Sequence, residues 1–242
     1  MIQFVMYNRI KRGLMMKTIG LLGGMSWEST AEYYRIINQS ISKSQGDAHS
    51  ASIVMYSFDF FKIQQLQHQE RWDQLQQMLS EKAIQLSNAG ADFLVICTNT
   101  MHVLAPMIVV SSGLEVLHIV PCVAQAIADA KLKQVLLLGT SFTIKSNLYP
   151  NMLANYNIEV IVPNQDDQIV VHNVIYQELI NGITSDSSRE KIVNIIQQYP
   201  NVQGVILGCT ELPLLIRQHD VDVMLFDTTK IHALAAAKRA LE

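Results

Sequence analysis

Two stretches decide the fold: Lys17-Thr-Ile-Gly-Leu-Leu-Gly23-Gly-Met-Ser26 and Lys133-Gln-Val-Leu-Leu-Leu-Gly139-Thr-Ser-Phe142. Each reads as a short apolar strand, a glycine where it ends, and small polar residues entering a helix. A second pair repeats in the same order. Ala91-Asp-Phe-Leu-Val-Ile-Cys-Thr98-Asn-Thr100 parallels Val202-Gln-Gly-Val-Ile-Leu-Gly-Cys209-Thr-Glu211. The chain therefore reads as two copies of one unit. Apolar runs lie at Thr18–Leu22, Ser52–Tyr56, Phe93–Cys97, Gln134–Leu138, Glu159–Val162, Gly204–Leu207 and Val223–Phe226. All are rich in Ile, Val and Leu on both faces, the pattern of parallel strands covered on both sides, and helix-length patterns separate them. An α/β fold follows. The expected domains are a first one over residues 16–115, completed by a C-terminal helix over 228–242, and a second over 116–227. Gln64 to Gln77, with seven glutamines and apolar Leu66, Trp72 and Leu75, predicts one amphipathic helix.

Of 242 residues, 49% are apolar and 16% charged, so the chain can bury a large core and has little charge to spread over its surface. The formal charge is −3 with no block of five like charges, which excludes a phosphate-gripping nucleic-acid partner. The longest apolar stretch, Val116 to Ala128, is broken by His118, Pro121 and Gln125, so no membrane span is expected. Residues 1–15 place apolar residues before basic ones, the reverse of a secretory signal, and are expected to be a disordered extension. Three widely spaced cysteines, Cys97, Cys122 and Cys209, fit neither a disulfide framework nor a zinc site, which points to a reducing, cytoplasmic location. The seven histidines lack metal-ligand spacing, and no metal is expected. Neither a dinucleotide fingerprint nor a P-loop is present.

In open parallel sheets ligands bind beyond the carboxyl ends of the strands, where all four matched segments place polar residues. Cys209 stands there, before Thr210-Glu211-Leu212-Pro213, where the proline suggests a helix opening. A helix N-terminus stabilises a thiolate, so the thiol pKa is expected to fall toward neutrality. Aligning the second pair matches Cys97 with Gly208 and Thr98 with Cys209. One residue of shift turns a strand side chain to the opposite face, so Cys97 should point into the core and Thr98 should hold the position equivalent to Cys209.

The segments Gly23-Gly24-Met25-Ser26-Trp27-Glu28-Ser29-Thr30, Cys97-Thr98-Asn99-Thr100-Met101-His102, Leu138-Gly139-Thr140 and Gly208-Cys209-Thr210-Glu211 resemble the aspartate/glutamate racemase family in order and spacing. The resemblance implies two pseudosymmetric three-layer α/β domains and a cofactor-free racemisation of a small amino acid by one thiol from each half. The first thiol usually precedes Asn-Thr; here Thr98 does, as in the broad-specificity branch. Catalytic roles are implied for Thr98 and Cys209, and substrate contacts at Met25, Gln67, Asn99, Thr100, Thr140 and Thr210. Aspartate-selective members supply a lysine from the helix after the second-domain strand, whereas Asn164 to Gly182 contains no Lys or Arg. Lys62 and Lys145 are the candidate substitutes. His102, four residues past Thr98, is a candidate to orient it. Related cofactor-free isomerases or decarboxylases, and a non-catalytic amino-acid binding protein, are the alternatives. The low charge fraction leaves surface for a homodimer.

Overall fold

The computed structural model describes residues 16–242; the extension expected over residues 1–15 lies outside the described residues. Among the described residues, seven strands form two parallel sheets. The first is built from β1 (Ile19–Gly23), β2 (Ile53–Ser57) and β3 (Phe93–Ile96), in the order β2-β1-β3. The second contains β4 (Gln134–Leu138), β5 (Glu159–Ile161), β6 (Gly204–Leu207) and β7 (Met224–Asp227), in the order β5-β4-β6-β7. The helices are α1 (Trp27–Gln45), α2 (Phe60–His68), α3 (Trp72–Asn88), α4 (Ala105–Ser112), α5 (Ile119–Asp129), α6 (Ser141–Lys145), α7 (Leu148–Leu153), α8 (Gln165–Gln177), α9 (Asp186–Gln197), α10 (Leu212–Leu215) and α11 (Thr228–Leu241). Among the described residues, no helix is long and apolar enough to cross a membrane.

The chain divides into two compact units. The first holds the described residues up to Cys97 together with Leu104–Leu117 and Ala233–Glu242; the second holds Thr98–Val103 and His118–His232. Each sheet is covered as a doubly wound sheet requires. In the second unit Leu136, Leu138, Val205 and Leu207 pack against α8 and α9 through Val171, Ile175, Ile192 and Ile195. Their neighbours along the strands, Val135, Leu137 and Ile206, face the other way, against Val120, Val123 and Ile127 of α5. In the first unit Ile19, Leu21, Phe93 and Val95 meet Tyr33 and Ile37 of α1 and Ala233, Ala236 and Ala240 of α11. This is a three-layer α/β architecture in each half.

The internal repeat extends to single hydrogen bonds. At the entry to the central strands, the Asp92 N–H donates to Thr18 O at 2.8 Å and the Gln203 N–H to Gln134 O at 2.9 Å. The side chains return the bond: the Thr18 N–H donates to Asp92 Oδ2 and the Gln134 N–H to Gln203 Oε1. Leu22 pairs with Ile96, as Leu138 pairs with Leu207. Even the fourth strand has a counterpart, since Val116 forms a parallel bridge beside Leu94 of β3 where β7 lies beside β6.

The single helix expected over residues 64–77 is two helices. Leu66 O accepts from the Arg71 N–H and Gln67 O from the Glu70 N–H, with Glu70 left-handed at φ 55°. This Schellman closure ends α2, and a new helix starts at Trp72. Such ends usually carry glycine; here a glutamate takes the position, which hides the break from the sequence pattern.

Candidate active site

Cys209 leaves β6 through Gly208, where an added Cβ would meet Leu137 Cδ1 at 2.7 Å and Leu138 O at 2.8 Å. Close packing of the backbone onto β4 thus requires glycine there. Cys209 is 9% exposed, and its Sγ–H donates to Glu211 Oε2 at 3.0 Å. The Thr210 hydroxyl donates to the same oxygen at 2.9 Å. Burial, the Glu211 charge and this hydrogen bond hold the thiol well above its ordinary pKa, against main-chain hydrogen bonds from Glu211 and Thr210 that favour the thiolate. The fall toward neutrality expected from a helix N-terminus is overturned. The helix that follows, α10, has only four residues, too little aligned dipole to offset a carboxylate 3.0 Å away.

At the end of β3, the Cys97 N–H donates to Leu22 O at 2.9 Å, as the Gly208 N–H donates to Leu138 O at 2.7 Å. Cys97 and Gly208 are therefore equivalent positions, and so are Thr98 and Cys209. Cys97 is fully buried in the core with Ile19 and Val95, where burial pushes its thiol far above the usual range. Thr98 is partly exposed. His102 does not reach its hydroxyl: the imidazole Nδ1–H donates to the Thr98 carbonyl at 2.8 Å. The His102 ring is fully buried, with ring centroids 4.6 Å from His118 and 5.4 Å from His232. Burial and these two neighbours keep it neutral.

Several expected contact residues meet in the second unit. Thr143 links Thr100 and Thr140, with hydroxyl separations of 3.1 Å and 3.2 Å. Thr140 also caps α6 by accepting from the Thr143 N–H. Asn99 bonds to Tyr149 and to Thr228. Tyr149, Thr143, Thr228 and Glu211 were not among the residues expected from sequence. Tyr149 and Thr228 reach Asn99 across 50 and 129 residues, so no local motif marks them, whereas Glu211 closes the Gly208-Cys209-Thr210-Glu211 segment and only the turn of its carboxylate onto Cys209 is new.

Helix α8, which has no lysine or arginine, carries His172 and Tyr176 with ring centroids 4.5 Å apart. Tyr176 packs against the buried cluster that includes Cys209, and burial raises its phenol pKa, with the charges of Cys209 and Glu211 raising it further. His172 Nδ1 accepts from the Ser141 N–H at 3.3 Å, at the start of α6. Lys62 and Lys145 are both exposed. Among the described residues no three His, Cys, Asp or Glu side chains are grouped to hold a metal ion.

In the first unit Met25 lies buried between β1 and α1. The loop around it is held by the Gly24 N–H, which donates to Thr30 Oγ1 at 2.8 Å, and by Ser26, which caps α1. Gln67 is buried with Ile63, one turn apart on α2.

The profile of the Asp/Glu/hydantoin racemase family matches residues 22–236. A crystal structure of a protein from Yersinia pestis, provisionally classed as an Asp/Glu racemase, is 46% identical. It covers 94% of this chain and 100% of that one, with a TM-score of 0.87. An aspartate racemase homologue from Pyrococcus horikoshii OT3 is 33% identical over 94% of this chain and 100% of its own, with a TM-score of 0.80. The broad specificity amino-acid racemase RacX of Bacillus subtilis (strain 168) is 24% identical, covering 87% of this chain and 92% of that protein.

Proposed function

This chain belongs to the Asp/Glu/hydantoin racemase family, and from that premise we propose that it is a cofactor-independent amino-acid racemase working through Cys209 and Thr98. The observation that carries the reading is the Cys209 thiol donating to the Glu211 carboxylate at a strand end equivalent to that of Thr98. Removing an α-proton needs a base on one face and an acid on the other, with fixed donors for the charge that develops on the carboxylate.

In this scheme the Sγ–H proton passes to Glu211 Oε2, and the thiolate takes the α-proton of the bound amino acid. The Thr98 hydroxyl, through water, returns a proton to the opposite face, and the cycle closes as Glu211 gives its proton to solvent and Thr98 takes one back from it. Reversal gives the other enantiomer. Asn99, Thr100, Thr140 and Thr210 supply donors, with Met25 and Gln67 as further substrate contacts suggested by the family. Threonine is a weak base, so turnover is slow. Without a basic residue on α8, the preference extends beyond aspartate to other small amino acids. A homodimer is part of the same proposal.

The test is chiral chromatography of L-aspartate, L-glutamate and uncharged L-amino acids incubated with the protein. D-enantiomer should accumulate with wild type and fall by about a thousandfold with Cys209→Ala, in line with loss of a general acid–base group. Saturable binding of an amino acid without any D-enantiomer would instead identify a binding protein.

A further inference from the structure

The proton directions around Asn99 can be assigned without ambiguity. Thr228 Oγ1 lies 2.8 Å from Leu207 O, which can only accept, so the single hydroxyl proton points there. Towards Asn99, 3.1 Å away, the same oxygen can then only accept. The amide atom facing it must be Nδ2, and Oδ1 faces the Tyr149 phenol, which donates at 2.5 Å. Tyr149 and Thr228 are fully buried and Asn99 is nearly so. Burial also raises the phenol pKa, keeping it a donor. This arrangement uses Oδ1 and one Nδ2 proton. The second Nδ2 proton has no acceptor among the described residues, and a buried donor left unmet is destabilising unless a ligand satisfies it.

We propose that Tyr149 and Thr228 are positioning residues that lock the Asn99 amide in one orientation, leaving one N–H for the carboxylate of the amino-acid substrate. A flipped amide would present an oxygen to that carboxylate and repel it. The same bridge ties the segment carrying Thr98 to the segment carrying Cys209, because Asn99 follows Thr98 and Leu207 lies two residues before Cys209. The proposal rests on the racemase reading for its ligand, and the orientation lock itself can be read separately.

The experiment combines kinetics with the Asn99 side-chain amide signal in a 15N-labelled protein, assigned by its loss in Asn99→Asp. Tyr149→Phe and Thr228→Val should each raise KM about tenfold with a smaller change in kcat, the size expected for one hydrogen bond. Thr228→Ser should recover the wild-type KM. The double variant should be no worse than the poorer single one, since both act through one amide. Wild type should show one slowly exchanging NH2 pair that shifts on adding L-aspartate, and Tyr149→Phe and Thr228→Val should broaden or double it. Unchanged KM in both single variants, or multiplicative effects in the double, would overturn the proposal. If wild type racemises nothing, the racemase reading fails and the spectrum decides the lock: an amide pair unaltered in both variants would overturn it too. Should Tyr149→Phe fail to fold, the Thr228 variants carry the comparison.

Discussion

The chain leaves β3 and β6 through equivalent hydrogen bonds, Cys97 N–H to Leu22 O and Gly208 N–H to Leu138 O, yet arrives at different chemistry. After β6 the next residue is a thiol with a carboxylate 3.0 Å away. After β3 it is a hydroxyl, with a buried neutral imidazole bound to its carbonyl. One residue earlier stands a cysteine in the first strand end and a glycine in the second. The two strand ends share their backbone hydrogen bonding, while each has its own packing and its own polar group. A proton acceptor has been built beside Cys209, and that asymmetry is what the following variants probe.

The largest effect is expected from Glu211→Gln, which removes the acceptor for the thiol proton. Racemisation should fall ten- to a hundredfold. The pH midpoint for alkylation of Cys209 by iodoacetamide should move down, because the variant loses the charge that raises the thiol pKa. Gly208→Ala comes next: its Cβ would press on Leu137 and Leu138 O, costing about 2 kcal/mol of stability by chemical denaturation. Thr98→Cys should make the two ends chemically alike and raise kcat about tenfold, read by chiral chromatography. Unchanged turnover would break the equivalence of the two positions.

The smallest effect concerns pH. His118 has its pKa lowered to about 4 by burial, against 6.5 for a free imidazole. The unfolded chain gains a proton near pH 6.5 and the folded one near pH 4, so this group's contribution is complete above pH 6.5 and is lost as pH falls from 6.5 towards 4. Allowing for its partial exposure, the loss is roughly 1–2 kcal/mol. His118→Asn should flatten the dependence of the urea midpoint on pH across that window.

Much of this was legible beforehand. The strand runs fall within a residue or two of the observed strands, because buried parallel strands are written as continuous Ile, Val and Leu. The offset of Cys97 against Thr98 followed from aligning the two matched segments together with strand periodicity. The break at Glu70 was not visible, since a left-handed glutamate gives no compositional signal. Nor was the raised pKa of Cys209: helix polarity could be read from Pro213, but the direction in which Glu211 turns its carboxylate depends on the packed structure. The bonds from Tyr149 and Thr228 to Asn99 join residues 50 and 129 positions apart, beyond the reach of any local pattern.

The central claim is that Cys209 moves the α-proton, and proton NMR of L-aspartate, L-glutamate and L-alanine in D2O tests it most directly. Wild type should replace the α-proton of at least one of them with deuterium, and Cys209→Ala, folded to the same thermal midpoint, should not. Exchange that persists at the wild-type rate in Cys209→Ala would contradict the account.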